Sequence, residues 1–217
     1  MSKYKYLLFD LDGTITDSFD SVANSFIYAL SFYGIKVTDK SQLRPILGPP
    51  LKDSFMNLFG FTSEDAEKAV EKYRERYEVY NTLENRLYEG MDKFLRLLYQ
   101  SDYKLILATS KPEKYAVKIL EYFNICNYFH SVCGASFDKT RNDKIDILKY
   151  ALEKNAIYDI SSAVMIGDRK YDLEAAAELG IDCIGVLYGY GDYEELSSYP
   201  NVFLAPTPEM LYNYIDK

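Results

Sequence analysis

Tyr4-Lys5-Tyr6-Leu7-Leu8-Phe9-Asp10-Leu11-Asp12-Gly13-Thr14 is the stretch that decides the fold. Its apolar half, residues 4–9, has the length and uninterrupted hydrophobicity of a strand buried in a parallel sheet. Two carboxylates follow at once, and Gly13 allows the chain to turn sharply without steric cost. Open α/β sheets bind their ligands at the carboxyl ends of strands, so this stretch predicts a sheet with a site at the end of its first strand.

The spacing of Asp10 and Asp12 indicates what the site could do. Side chains two residues apart on a strand point to the same side, so both carboxylates could converge on one centre. Two anions so close are unfavourable alone, and the arrangement makes sense if a divalent cation neutralises them, if one shares a proton, or both. The competing interpretation is a simple Asp-Gly turn signal.

Composition narrows the functional classes. The 217 residues are enough for one core and one lesser lobe, and 48% hydrophobic with 27% charged residues is ordinary for a globular protein. A net charge of −8 argues against a nucleic-acid surface, and an anionic substrate would need a local metal or basic group. No stretch reaches the ~20 apolar residues of a membrane span, so a cytoplasmic location is expected.

The order of hydrophobic patterns predicts two domains. Residues 16–86 follow a helical period, interrupted by a loop at Gly48-Pro49-Pro50, where proline excludes helix. A helix is predicted to resume at residues 51–59. From residue 89 apolar strands and amphipathic helices alternate, which indicates a parallel sheet with helices on both faces. We therefore predict a doubly wound α/β core of residues 1–15 and 87–217 with an inserted all-helical domain at 16–86.

Polar residues recur where later strands are predicted to end. The strand 103–108 is followed by Thr109 and Ser110 and by a new helix with Pro112 at its first position. The amino terminus of that helix would bind anions. The strand 163–166 is followed by Asp168 and, four residues later, by Asp172, so we expect the two carboxylates to share a face of the following helix. Helix capping is the alternative explanation at both places.

These motifs in this order resemble the haloacid dehalogenase superfamily. The resemblance rests on Asp10-Leu11-Asp12-Gly13-Thr14, on Thr109 after an apolar strand, on a later lysine, and on Gly167-Asp168 with Asp172. A helical insertion after the first motif, with Gly48-Pro49-Pro50-Leu51, is similar to the phosphoglycolate phosphatase-like branch, in which the insertion is a cap. We hypothesise that residues near Gly48 to Lys52 would read the substrate.

The resemblance implies roles for four of these residues. Asp10 would be the nucleophile that accepts a phosphoryl group, and Asp12 the general acid and base. Thr109, with a basic residue, would hold the phosphoryl group, and we expect Ser110, the second hydroxyl after the same strand, to bind phosphate beside it. The expected substrate is a small phosphorylated metabolite, such as phosphoglycolate, a nucleotide or a sugar phosphate.

The resemblance also implies a magnesium site. Mg²⁺ would be held by Asp10, by Asp12 through its backbone carbonyl, and by Asp168, with Asp172 orienting or completing the site. The basic residue is assigned to Lys144, at the start of the helix before the last motif strand. Arg141 is the competing candidate.

Two other functions remain open at this point. A phosphosugar mutase would use the same residues but return the phosphoryl group to its substrate, and a phospho-accepting signalling or binding module would be modified without turnover. The glycines at 185, 189 and 191 lack the third glycine spacing and the helix of a dinucleotide fingerprint, so we expect them to shape a loop.

Overall fold

The structure, a computed structural model, describes residues 3–138 and 140–216. The chain divides into two compact units, residues 1–17 with 87–217, and Ser18–Arg86. The strands are β1 (Tyr6–Phe9), β2 (Thr16–Asp17), β3 (Arg86–Leu87), β4 (Lys104–Pro112), β5 (Phe129–Ala135), β6 (Ala163–Gly167), β7 (Asp182–Val186) and β8 (Phe203–Ala205). The α-helices are α1 (Phe19–Ser31), α2 (Leu51–Phe59), α3 (Ser63–Tyr80), α4 (Met91–Tyr99), α5 (Glu113–Tyr122), α6 (Lys144–Lys154), α7 (Lys170–Leu179), α8 (Tyr193–Ser197) and α9 (Pro208–Ile215).

The first unit is built on a six-stranded parallel sheet in the order β5-β4-β1-β6-β7-β8. Strand β1 is central, with β4 on one side and β6 on the other. Because the strands are parallel, the segments that follow β1, β4 and β6 emerge at the same edge of the sheet. The predicted doubly wound α/β fold is confirmed.

Alternating side chains of the sheet build one apolar layer on each face. Leu7 and Phe9 of β1 pack in a layer with residues of α4, α5 and α9. Leu8, from the same strand, packs in the opposite layer with residues of α6, α7 and α8. All three side chains are fully buried, so helices cover both faces of the sheet at β1 and shield them from solvent.

The second unit contains α1, α2 and α3 with a 3₁₀ helix at Lys40–Ile46. Its centre is aromatic. The Phe26 ring stacks on the Phe55 ring with 4.3 Å between their centroids, and it meets the Tyr73 ring edge-on with 5.3 Å between centroids. Gly60 ends α2 with a φ of 68°, and the Thr62 hydroxyl accepts a hydrogen bond from the backbone of α3 as its N-cap. The unit begins two residues after the boundary that the sequence predicts.

The main departure from the predicted elements concerns β4. The apolar run ends at Ala108, but the strand continues to Pro112 with an irregularity in its pairing to β5 between Thr109 and Pro112. Backbone pairing to β5 carries the strand past its hydrophobic part, which hydrophobicity alone does not reveal. As a result Pro112 is the N-cap of α5 rather than its first residue.

Membrane-spanning helices are not found among the described residues, where no helix is both long and apolar enough to cross a bilayer.

Candidate active site

The turn after β1 is fixed by its backbone. The Leu11 carbonyl accepts hydrogen bonds from the amides of Ile15 and Thr16, both at 2.9 Å. Gly13 has a φ of +84°, and a Cβ added there would lie 2.0 Å from Asp168 Oδ2. Glycine is therefore required at position 13 for its conformation and for the close approach of a second site residue.

Three carboxylates from separate elements meet at this edge of the sheet. Asp10 follows β1, Asp168 follows β6, and Asp172 lies in the first turn of α7. Each contributes one oxygen to a group whose atoms all lie within 4.8 Å of one another. Lys144 Nζ lies 3.0 Å from Asp10 Oδ1 and 2.7 Å from Asp172 Oδ1, and it donates a hydrogen bond to the Ala108 carbonyl at 3.0 Å.

This group fits a magnesium ion. Asp168 and Asp172 are almost entirely buried, and Asp10 is 13% exposed. Within the described part of the chain, Asp10 Oδ1 and Asp172 Oδ1 are buried and accept no well-aligned hydrogen bond, although Lys144 approaches both as an ion-pair partner. Three carboxylates face one ammonium group, and a hard divalent cation would balance the remaining charge with the oxygen ligands it prefers.

The pKa values of the group reflect the same crowding. Burial, together with the charges of Asp172 and Asp10, raises the pKa of Asp168 well above its usual value. Burial also raises the pKa of Asp172 to about 6, against the opposing effect of Lys144. Burial would lower the pKa of Lys144, but the two carboxylates beside it outweigh this and raise it. Without a further cation, the ionised forms of Asp168 and Asp172 are thus destabilised by burial and by mutual repulsion.

The Asp12 carboxylate lies outside this group. Lys111 Nζ donates to both of its oxygens, at 2.7 Å to Oδ1 and 2.6 Å to Oδ2. The Asp12 side chain is 29% exposed, whereas that of Lys111 is 4% exposed. The two aspartates of the first motif therefore have separate partners, and a magnesium role for Asp12 through its backbone carbonyl stays a prediction.

The two predicted phosphate-binding hydroxyls differ in environment. Thr109 is fully buried, and its Oγ1 accepts a hydrogen bond from the Lys111 amide at 3.2 Å. Ser110 is exposed, because alternation along β4 puts it on the opposite side from both neighbours. Phosphate binding by either residue stays a prediction.

Lys144 and Arg141 also differ in position. Lys144 lies among the carboxylates, as described above. The Arg141 guanidinium instead donates to the Gly134 carbonyl at 2.7 Å, lies 3.4 Å from Glu113 Oε2 and stacks 3.8 Å above the Tyr150 ring. This geometry favours Lys144 as the basic residue of the site.

The loop after β7 supports Asp168. The Tyr190 amide donates to Asp168 Oδ2 at 2.8 Å, and the Gly191 amide donates to the Asp168 carbonyl at 3.1 Å. A Cβ on Gly189 would lie 2.4 Å from Asp168 Cβ, and one on Gly191 would lie 2.2 Å from the Asp168 carbonyl oxygen. Gly189 and Gly191 thus let the backbone reach the buried carboxylate, whereas Gly185, which was also predicted to shape the loop, lies in β7.

Asp172 contacts both the start of α7 and Lys144, and its role at a magnesium site stays a prediction. Its Oδ2 accepts a hydrogen bond from the Arg169 amide at 3.2 Å, which caps α7, while its Oδ1 faces Lys144. A Cβ on Gly167 would lie 2.2 Å from Asp172 Cγ, so glycine is needed beneath this carboxylate. Asp168 precedes α7 and does not share a helix face with Asp172, contrary to the prediction.

Sequence reasoning missed Lys111 as a site residue. The signal was present in Thr109-Ser110-Lys111: had β4 been extended to this point, strand alternation would put Lys111 on the buried side with Thr109. No sequence signal pointed to the contacts of residues 190–191 with Asp168, because they depend on the pairing of β6 with β7.

Comparisons with known proteins show to which family the chain is similar. The sequence profile of the haloacid dehalogenase-like hydrolase family matches residues 7–186. The chain is 37% identical over 197 residues to a 5'-nucleotidase of Pseudomonas aeruginosa, covering 91% of this chain and 89% of that protein. It is 30% identical over 210 residues to a phosphoglycolate phosphatase of Vibrio parahaemolyticus, covering 93% and 91%.

The chain is also similar to a hydrolase of known structure and to a protein named as a tyrosine kinase. A haloacid dehalogenase-like family hydrolase from Streptococcus pneumoniae superposes with a TM-score of 0.91 at 28% identity, covering 99% of each chain. Tyrosine-protein kinase PtkA of Mycobacterium tuberculosis is 37% identical over 185 residues, and the match covers 85% of this chain but 62% of that protein. The profile match spans most of the chain and includes both aspartate motifs, so this protein belongs to the haloacid dehalogenase-like hydrolase family.

Proposed function

We propose that this phosphatase of the haloacid dehalogenase-like family hydrolyses a small phosphate monoester through an aspartyl-phosphate intermediate. The observation that carries the proposal is the arrangement of its first motif. Asp10 lies with Asp168, Asp172 and Lys144, while the carboxylate of Asp12 is held apart by Lys111. A nucleophile and a proton-transfer group therefore lie two residues apart in different environments.

Each site residue would have a separate role in the two steps of the reaction. A carboxylate oxygen of Asp10 attacks phosphorus, the bond to the leaving oxygen breaks, and Asp12 gives that oxygen a proton. Water then attacks the phosphoryl group, its proton passes to Asp12, and the bond between phosphorus and Asp10 breaks with its electron pair returning to the carboxylate. Lys144 and Thr109 would hold the phosphoryl oxygens.

Magnesium is the implied cofactor. Asp10, Asp168 and the backbone carbonyl of Asp12 would hold it, with Asp172 completing or orienting the site. When bound, Mg²⁺ supplies neutralising charge to the phosphoryl oxygens.

The proposed substrates are small phosphate monoesters. The names of the relatives, a 5'-nucleotidase and a phosphoglycolate phosphatase, support nucleoside monophosphates and phosphoglycolate as the first compounds to test. The helical unit Ser18–Arg86 is proposed to act as the cap that selects among them.

The test is multiple-turnover phosphate release from p-nitrophenyl phosphate and a panel of metabolite phosphates, with Mg²⁺ and with a chelator. We expect turnover with Mg²⁺ that is lost on chelation and in Asp10→Asn. Asp146→Asn is the matched control, because Asp146 is exposed in the first turn of α6 and should behave as the wild type. In parallel, Mg²⁺ should raise the melting temperature of the wild type but not of Asp168→Asn.

Other outcomes would replace the proposal. Isomerised sugar phosphate without net phosphate release would identify a mutase. Uptake of one phosphoryl group per chain without further turnover would identify a phospho-accepting module. Metal-independent turnover that survives Asp10→Asn would contradict the intermediate.

A further inference from the structure

Lys111 is a buried lysine at the candidate site, and it is not part of the motifs that the chain shares with the family. Its side chain is 4% exposed, and its ammonium group lies within 2.7 Å of both oxygens of Asp12. A lysine loses considerable side-chain freedom when it is fixed in this way, and exposed ion pairs rarely hold one so tightly. The contact therefore constrains Asp12 more than a surface salt bridge would.

The backbone of β4 is shaped to bring Lys111 inward. The Lys111 amide donates to Thr109 Oγ1 at 3.2 Å, and the pairing of β4 with β5 becomes irregular at this point. A Cβ on Gly134, in β5, would lie 2.7 Å from the Lys111 carbonyl oxygen, so β5 has glycine where the lysine backbone approaches. Two neighbouring residues thus accommodate the position of Lys111.

The two buried lysines serve different carboxylates. Lys144 approaches Asp10 and Asp172, whereas Lys111 contacts both oxygens of Asp12. An ionised carboxyl group offers about four lone-pair sites, so two hydrogen bonds from Lys111 fix its plane and leave other sites open to a proton. The carboxylate of Asp12 is held in one orientation without being blocked.

We infer that Lys111 is a positioning residue that orients the Asp12 carboxylate for proton transfer. The inference rests on the proposed function. In the hydrolytic step the water oxygen forms a bond to phosphorus, its proton passes to Asp12, and the phosphorus–oxygen bond to Asp10 breaks. A base must face the O–H bond of the attacking water at hydrogen-bond distance, so a freely rotating carboxylate would slow this step.

The first and second steps can be separated with p-nitrophenyl phosphate. Nitrophenolate is a good leaving group and departs without a proton, so formation of the phosphoryl-enzyme does not need Asp12. Rapid-mixing measurements would give the rate of the first equivalent of nitrophenolate and the steady-state rate that follows. A residue that acts through Asp12 affects the second rate, whereas general damage to the site affects both.

In Lys111→Met we expect the first equivalent to appear at a rate within about threefold of the wild type, followed by a steady-state rate at least ~10-fold lower. Lys111→Arg, which can also donate to both carboxylate oxygens, should restore most of the steady-state rate. Lys114→Met is the matched control, because Lys114 is an exposed lysine three residues away, and both rates should stay unchanged.

A double-mutant cycle tests whether Lys111 acts through Asp12. Adding Lys111→Met to Asp12→Asn should lower the steady-state rate no further, because the carboxylate that Lys111 orients is already gone. Should Lys111→Met fail to fold, Lys111→Gln keeps a hydrogen-bond donor without the charge and is measured in the same way. Equal loss of both rates, or loss of neither, would overturn the inference.

The experiments distinguish an error in the proposed function from an error in the role of Lys111. If the wild type shows no metal-dependent turnover, or Asp10→Asn retains it, the phosphatase mechanism itself is wrong. If the wild type turns over and the Lys111 variants do not separate the two rates, only the positioning role is wrong.

Discussion

At the scale of single residues, the position of Lys144 leads to a prediction that separates it from Arg141. Lys144 Nζ lies among Asp10, Asp172 and the Ala108 carbonyl. We propose that it also contacts the phosphoryl group of the substrate. We expect Lys144→Met to lower kcat/KM for p-nitrophenyl phosphate by at least ~10²-fold, as expected when a preorganised cation is removed from a phosphoryl-transfer site.

Arg141→Met is the comparison variant. Its guanidinium stacks on Tyr150 and donates to the Gly134 carbonyl, so its removal should cost about 1–2 kcal/mol of stability. We expect a lower melting temperature and a change in kcat/KM below about tenfold. A larger rate loss in Arg141→Met than in Lys144→Met would assign the basic role to Arg141.

The same scale shows what the sequence could and could not predict about the site. The family resemblance implied that Asp10, Asp168 and Asp172 meet at one site, and the structure brings one carboxylate oxygen of each within 4.8 Å of the others. Strand spacing left open that the Asp12 carboxylate converges with that of Asp10, but in the structure the Asp12 carboxylate pairs with Lys111. Strand period and motif order predict which residues lie at the carboxyl-terminal edge of the sheet. The side chain that each of them contacts there depends on segments distant in sequence.

At the scale of elements, α3 and the segment after it give a prediction of pH dependence. Arg76 in α3 forms two hydrogen bonds to Glu84, at 2.8 and 2.6 Å, and Asn24 of α1 adds a third at 3.0 Å. The hydrogen bonds from Arg76 lower the pKa of Glu84 below its ordinary value of 4.5, despite partial burial. The contact therefore stabilises the folded chain at pH values above 4.5, and this stabilisation is lost as the pH falls through the lower, folded pKa.

The measurement is the free energy of unfolding of the full chain between pH 7 and pH 3, for the wild type and for Glu84→Gln. At pH 7 we expect the variant to be less stable by about 1 kcal/mol, and the difference should shrink towards zero at the acidic end. Glu64→Gln is the control, because its contact with Lys68 is an exposed pair within one helix, worth a few tenths of a kcal/mol. A difference between wild type and Glu84→Gln that grows on acidification would contradict the sign of the effect.

Elements with a strong periodic pattern could be predicted from the sequence. Residues 51–59 were predicted as a helix and form α2, because a proline pair precedes this segment and Gly60 ends it. The end of β4 was predicted at Ala108, four residues too early, because the segment after it is polar and remains extended through pairing with β5. The short helix α8 was not predicted, since five residues show too little period.

At the scale of the whole molecule, the residues proposed for the chemistry all belong to one unit, residues 1–17 and 87–217. The helical unit Ser18–Arg86 has an aromatic centre of its own around Phe26 and Phe55. An insertion that keeps its own core can change its surface without disturbing the sheet that positions the carboxylates. If the insertion is a cap, as we propose, chemistry and substrate selection should be separable by mutation.

The segment from Gly48 to Lys52 is where this separation can be tested. Gly48 is exposed with a φ of 109°, Pro50 is the N-cap of α2, and Lys52 pairs with Glu67 at 2.6 Å. We expect the triple variant Pro49→Ala, Pro50→Ala, Lys52→Met, which keeps Gly48 because of its φ, to reorder the panel of metabolite phosphates by at least ~10-fold in relative kcat/KM. With p-nitrophenyl phosphate, kcat should change by less than about threefold, because the groups of the transfer step are untouched.

Lys68→Met is the matched control for this variant, since Lys68 is an exposed lysine of the same unit that pairs with Glu64. It should leave both the order of substrates and the rate with p-nitrophenyl phosphate as in the wild type. If the triple variant lowers every substrate by one common factor, the segment contributes to the transfer step or to stability. Unchanged relative rates across the panel would refute a role of this segment in substrate selection, and the residues that select the substrate would then have to be sought elsewhere in the chain.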